Sequence, residues 1–238
     1  RIYAADQRIN DYGILADLDL AHAAQDMDEE YKARLTERAE KVFGLSSLKS
    51  MPQLKGFIKE RTGVVIDSLN KNSIEEVIKT VASLKNVTDE DKQAVLDVID
   101  LRREVCKTSN AKYTAILASA GRGNRIRGLF RYYGANRTGR WAGRLVQLQN
   151  LPQNHIEDLD GARDLAKMHD LDMMEVIYDK PTHILSQLIR TAFIAPEGYT
   201  FAVADFSAIE ARVIAWVANE QWRLDLFNDP KADIYCAS

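Results

Sequence analysis

Cysteine is nearly missing from this chain: two residues, Cys106 and Cys236, stand in 238. That is too few for a disulfide framework, and both fall in helix-like stretches, so reduced thiols in a cytoplasmic protein are expected. No apolar run approaches the roughly 20 residues of a membrane helix, which excludes a spanning segment. The opening Arg1-Ile-Tyr-Ala-Ala-Asp-Gln-Arg8 has neither an apolar signal core nor an initiator Met, and a piece of something longer is expected. Repeats and low-complexity tracts are absent. With 46% hydrophobic and 28% charged residues, the chain is not disordered and can bury one large core or two ordinary ones.

The most informative lack is of acid. Residues 105–156 carry nine basic residues and no carboxylate, whereas the flanks on both sides are net acidic. Seven of the nine are arginines: Arg122, Arg125, Arg127, Arg131, Arg137, Arg140 and Arg144. Guanidinium forks hold phosphate oxygens in pairs and stack on bases, where a lysine is only a point charge. Phe130, Tyr132, Tyr133 and Trp141 are interleaved with them. Basic and aromatic residues in a glycine-rich setting suggest a nucleic-acid groove; the plainer alternative is a solvated loop paired with the acidic flanks.

The spacing predicts an α+β chain that is mostly helical. Asp17 to Phe43 repeats apolar residues at close to 3.6 and stops at Gly44. Pro52 can open a short helix that Gly63 ends. Ser73-Ile-Glu-Glu76 has capping-box spacing. Thr88, followed by three acids, caps a long helix that is expected to run toward Leu117. Beyond Gly121-Arg-Gly123 the texture changes. A strand is expected within 125–133, helices over 158–178 and 182–193, a buried-type strand over 199–205, and a helix over 209–217. The expected boundary lies near 120, between a helical part, 1–120, and a mixed part, 121–238, with a small antiparallel sheet.

The strand-to-helix junction carries the chemistry. Asp205 ends the expected strand and Glu210 falls in the first turn of the next helix. A carboxylate on a rigid strand end is suited to a hard cation such as Mg²⁺. The alternative is that Asp205 or Ser207 merely caps the helix and Glu210 favours its dipole.

Ala204-Asp-Phe-Ser-Ala-Ile-Glu-Ala-Arg212 resembles motif A of the family A DNA polymerases, the DNA polymerase I family. Arg190-Thr-Ala-Phe-Ile-Ala-Pro196 is similar to the segment leading into it. Thr138-Gly-Arg140 and Gln149-Asn-Leu-Pro152 resemble two further blocks, in the family's order. Ile9-Asn-Asp-Tyr-Gly-Ile-Leu-Ala-Asp17 and Phe43-Gly-Leu-Ser-Ser47 resemble the segment before the thumb, and Lys107-Thr-Ser-Asn-Ala-Lys-Tyr113 the thumb tip. The resemblance spans nearly the whole chain and is strongest to phage or prophage members.

The resemblance implies a thumb and the first half of a palm from a template-directed DNA polymerase. The chain on its own is expected to be inactive, its fingers and remaining palm being missing. Partners would be primer-template DNA and dNTPs, without a membrane, in the cytoplasm of a bacterial or phage-infected cell. Asp205 would hold both Mg²⁺ ions and the Phe206 carbonyl one of them, serving two-metal transfer of a nucleotide to a primer 3′-hydroxyl. Glu210 would be the steric gate against ribose, and Tyr235 would face the triphosphate where many members have His. Arg140, Gln149 and Asn150 would lie at the primer terminus. Arg131 and Arg137 would contact DNA from the palm, and Ser109, Asn110 and Lys112 from the thumb; for each the alternative is a solvated charge or a cap, and for Lys112 that alternative is favoured. Departures are Phe206 for Tyr, Ala208 for Gln, and Asn154 where Arg often stands. A stand-alone DNA-binding module is the alternative reading. A relative of single-subunit RNA polymerases is disfavoured by Glu210.

Overall fold

A computed structural model describes residues 1–70 and 73–229. The chain divides into two compact units, Arg1–Pro196 and Glu197–Ser238. Tyr235 and Cys236 lie outside the described residues.

The first unit is organised around one long helix. After α1 (Ile2–Tyr12) and β1 (Ile14–Ala16), α2 runs over Leu18–Phe43. Its 26 residues make it about 39 Å long. Asp17 caps it, its carboxylate accepting from the Leu20 amide at 3.1 Å, and Gly44 ends it in the left-handed conformation. The apolar repeat lies where its period puts it: Leu20, Ala21, Ala24, Met27, Tyr31, Leu35 and Ala39 are all buried. Against α2 pack α5 (Asp89–Val105), α6 (Ala111–Ser119), α7 (Leu159–Met168) and α9 (Pro181–Leu188). Two shorter helices, α3 (Met51–Thr62) and α4 (Ile74–Ser83), pack on α5. Each term of this description is α+β and predominantly helical, as the sequence predicts.

Several expected elements are corrected. Ser73 makes no capping bond to α4; its backbone is already helical, and its hydroxyl donates to the Ser68 carbonyl instead. The Thr88 helix stops at Val105 rather than near Leu117, because Thr108-Ser-Asn110 forms a turn whose Asn110 side chain is drawn into the core. The span 158–178 is two helices, α7 and α8 (Leu171–Tyr178), broken at left-handed His169. Asp158 and Asp170 each cap one of them. Beyond Leu188, α9 tightens into a 3-10 turn, Ile189–Ala192.

The sheet is antiparallel, and it recruits the N-terminal part that the sequence reads as wholly helical. Its order is β2 (Ala120–Gly121), β3 (Arg125–Ile126), β1, β6 (Phe193–Ile194). Register pairs Ile14 with Ile126 and Leu15 with Ile194. A separate ribbon pairs β4 (Phe130–Arg131) with β5 (Ala142–Gly143). The expected strand 125–133 is thus divided between β3 and β4, and Gly128 takes a positive φ between them. Gly13 turns α1 into β1 at φ +64°, and a Cβ there would lie 2.3 Å from the Ile126 carbonyl oxygen, so only glycine fits.

In the second unit, α10 (Ile209–Val217) and α11 (Gln221–Asn228) pack together. Arg212 stacks on the Phe227 ring at 4.4 Å and donates to the Phe227 carbonyl. The expected strand 199–205 is not one: among the described residues it pairs with no other strand, and Tyr199, Phe201 and Val203 are exposed. An apolar run signals a surface that wants burial, but a strand also needs a neighbouring strand to bond, and local sequence does not supply that.

Candidate nucleic-acid interface

The arginine-rich segment folds into the β4–β5 ribbon and the loop that joins its strands. Phe130 faces Gly143 and Arg131 faces Ala142. Backbone bonds close the loop, Ala135 to the Arg140 carbonyl at 3.1 Å and Gly139 to the Ala135 carbonyl at 2.8 Å. The arginines divide into two sets. Arg125 is spent on the fold: it lies 4.2 Å from the Tyr12 ring centroid and donates to the carbonyls of Tyr12 and Gly13. Arg127 donates to the carbonyls of Asp11 and Arg122. Among the described residues, the side chains of Arg131, Arg137 and Arg144 have no hydrogen-bond or ion-pair partner, and all three are exposed. Among the described residues the acidic flanks leave these three side chains unpaired.

Arg140 is exposed on the same loop. Gln149 lies in a 3-10 turn (Leu148–Asn150), its amide so close to Gly143 that a Cβ there would come within 2.2 Å. Asn150 donates to the Gln147 side chain at 3.1 Å. Arg190 fastens this turn by donating to the carbonyls of Leu151 and Pro152 at 2.8 and 2.7 Å. The Thr-Gly-Arg loop, the Gln-Asn-Leu-Pro turn and the Arg190 segment are thus held as one substructure.

Three predicted contacts lie elsewhere. The 107–113 segment is the turn between α5 and α6, packed against α2 and α9, not an exposed tip. Asn110 is 3% exposed and donates to the Asp28 carboxylate at 2.6 Å and the Thr182 carbonyl at 3.2 Å. Lys32 completes the Asp28 pair at 2.6 Å. The Ser109 hydroxyl is buried, and Lys112 donates to the Val146 carbonyl at 2.7 Å. Nearby Lys107 is held below the usual lysine range by burial, against the opposing pull of Glu104 and Asp28. Asn110→Ala is expected to cost about 1–3 kcal/mol by stripping a donor from a buried carboxylate. Thermal melts should show the loss, while the salt dependence of DNA binding stays that of the parent chain.

Sequence reasoning missed α1 as part of this face. The Asn10 side chain acts as a neighbouring strand for β4: its Oδ1 accepts from the Phe130 amide at 2.8 Å and its Nδ2 donates to the Phe130 carbonyl at 3.0 Å. Trp141 Nε1 donates to Asp6 at 2.6 Å. Asn10 stands in one of the recognised blocks, but a partner 120 residues away leaves no local signal.

In the second unit, Asp205 is exposed and its Oδ1 accepts from the Phe206 amide at 2.9 Å. Neither Asp205 nor Ser207 caps α10; the cap is Ala208, in the left-handed conformation. Ser207 contributes its carbonyl, which accepts from Arg212 Nε at 2.8 Å. Glu210 is in the first turn of α10. The donors offered by Asp205 and the Phe206 carbonyl are all oxygen, which suits a hard cation. Among the described residues no group of three His, Cys, Asp or Glu side chains is gathered for a metal. No helix among them is long and apolar enough to cross a membrane.

Comparison with known proteins gives two matches. The family model for DNA polymerase family A matches residues 19–238. A DNA polymerase of Bacillus phage SP02 is 51% identical over 228 residues, 96% of this chain. The chain spans 34% of the length of that relative. No solved structure matches.

Proposed function

The chain belongs to DNA polymerase family A, and from that premise we propose that it forms the duplex-binding part and the first metal carboxylate of a template-directed DNA polymerase. The substrates are primer-template DNA and deoxynucleoside triphosphates, and the setting is replication or repair in a bacterial or phage-infected cell. The helical part to about residue 120 is read as thumb and 121–238 as part of the palm.

The observation that carries this reading is that Arg131, Arg137 and Arg144 are exposed without a side-chain partner among the described residues, in a chain whose family-matched stretch also holds an exposed Asp205 five residues before Glu210. Asp205 and the Phe206 carbonyl would hold divalent ions, together with water and substrate phosphates. When bound, the ions supply Lewis-acid activation of the primer 3′-hydroxyl and neutralise charge on the leaving pyrophosphate. The second carboxylate is expected from the rest of the polypeptide, and the 238 residues alone are expected not to extend a primer. Arg131 and Arg137 bind backbone phosphates and orient the duplex. Arg140, Gln149 and Asn150 lie toward the primer end of the same face. Glu210 walls the sugar.

The DNA-binding part of this reading is tested by the salt dependence of duplex affinity. Log affinity should fall with log salt with a slope near −0.9 per phosphate contact. Replacing Arg131 and Arg137 together with glutamine should reduce the slope by about two contacts' worth. A slope unchanged in the double variant would remove these residues from the DNA.

A further inference from the structure

The cleft between α1 and the β4–β5 ribbon has a composition that duplex binding does not explain. Its volume is about 410 Å³, within the range of about 300–1,000 Å³ common to small-molecule sites. Two rings, Tyr3 and Tyr132, line it, and Trp141 packs on Tyr132. Tyr3 and Tyr132 meet edge to face at 5.7 Å, and Tyr132 and Trp141 at 5.6 Å. Despite these contacts Tyr3 remains 59% exposed, Trp141 47% and Tyr132 39%. Three large rings gathered in one cluster, each left more than a third open, form a stacking surface rather than a core.

The charges around the rings sort the ligand. Arg131 and Arg144 line the cleft without a side-chain partner among the described residues. Asp6 also lines it, but it is 2% exposed and is occupied by Trp141 and Gln7, so its charge orients the indole rather than facing outward. The remaining acid, Asp11, can accept from the exocyclic amine of a base. The residues that complete the cleft, Tyr3, Asp6 and Asp11, precede residue 19, where the family match begins. The cleft is therefore not built from the matched stretch alone.

We propose that this cleft is a stacking site for an unpaired nucleotide of single-stranded DNA, with its base against Tyr3 and Tyr132 and its phosphate on Arg131 and Arg144. Stacking needs an open base face, which duplex DNA does not present away from its ends. The inference rests on the DNA-binding reading above and adds a second mode to it: duplex along the arginine loop, unpaired template or flap nucleotides in the cleft.

The test is fluorescence anisotropy on the 238-residue chain with a labelled oligo(dT) and, separately, a blunt hairpin duplex at the same salt. Tyr132→Ala should weaken oligo(dT) binding about tenfold, Tyr132→Phe should restore it, and hairpin affinity should be unchanged in both. Tyr3→Ala, at an exposed helix position, should show the same selective loss, and it decides the matter if Tyr132→Ala melts below the assay temperature. Equal loss on both probes, or no loss from either tyrosine, would overturn the stacking site while leaving the duplex reading intact. If the parent chain binds neither probe, the DNA-binding reading itself fails. Tighter binding of oligo(rU) than of oligo(dT) would overturn the assignment to DNA.

Discussion

Glu210→Ala in the full-length polymerase is expected to raise ribonucleotide incorporation by orders of magnitude while leaving deoxynucleotide use largely intact. Glu210 sits in the first turn of α10, five residues after Asp205, and the proposed function sets both side chains against one substrate. A deoxyribose brings only hydrogen to its 2′ position, and an acid packed there does not obstruct it. A ribose brings a hydroxyl, and a packed wall cannot yield enough to admit it. The misplaced sugar also displaces the α-phosphate from attack geometry, so discrimination should appear in kcat/KM. A discrimination on the order of a thousandfold corresponds to about 4 kcal/mol between the two sugars in the transition state. The measurement is the ratio of kcat/KM for each dNTP to that for its rNTP, parent against variant. If the ratio does not move, Glu210 is an acid that favours the dipole of α10, and the wall is elsewhere.

Asp205→Ala should abolish incorporation in the same full-length enzyme, by at least about a thousandfold, since the ions contribute several kcal/mol of charge stabilisation to the transition state. Primer-template affinity should not change, because the arginines proposed to bind the duplex are on the other unit. Asp205→Asn sharpens the test. The amide oxygen can still accept from the Phe206 N–H, the bond seen at 2.9 Å, so the local turn is kept and only the charge is lost. Incorporation by Asp205→Asn should be as low as by Asp205→Ala, with an unchanged melting temperature. Near-normal activity in the asparagine variant would mean that Asp205 shapes the turn and does not hold metal.

Much of the fold was legible because its signals are local. A cap acts over three residues: Asp17 reaches the Leu20 amide, Thr88 the Asp91 amide, Asp158 the Gly161 amide. The stripe along α2 repeats within a turn or two, and α10 begins and ends where its apolar run does. The same signals mislead where tertiary contacts compete. Ser73-Ile-Glu-Glu76 has the spacing of a capping box, yet its hydroxyl finds the Ser68 carbonyl. The Thr88 helix has no strong stop before Gly121, yet it yields at Cys106 because Asn110 is held by Asp28 and Thr182, which are 82 and 72 residues away along the chain.

For the candidate site the sequence alone supplied the proposed chemistry. It named the family blocks, the acid-free arginine segment, and the carboxylates Asp205 and Glu210, because residue identity and order carry that information directly. Only the tertiary structure decided which of these residues are available. It committed Arg125 and Arg127 to backbone carbonyls, left Arg131, Arg137 and Arg144 open among the described residues, and buried Asn110. It also brought α1 to the ribbon through Asn10 and Phe130, and placed β1 inside a sheet otherwise made by later residues. The physical reason is common to all of these. Burial and pairing depend on groups far apart in sequence, each polar group settles where a partner is offered once the chain has closed on itself, and no local spacing records that choice.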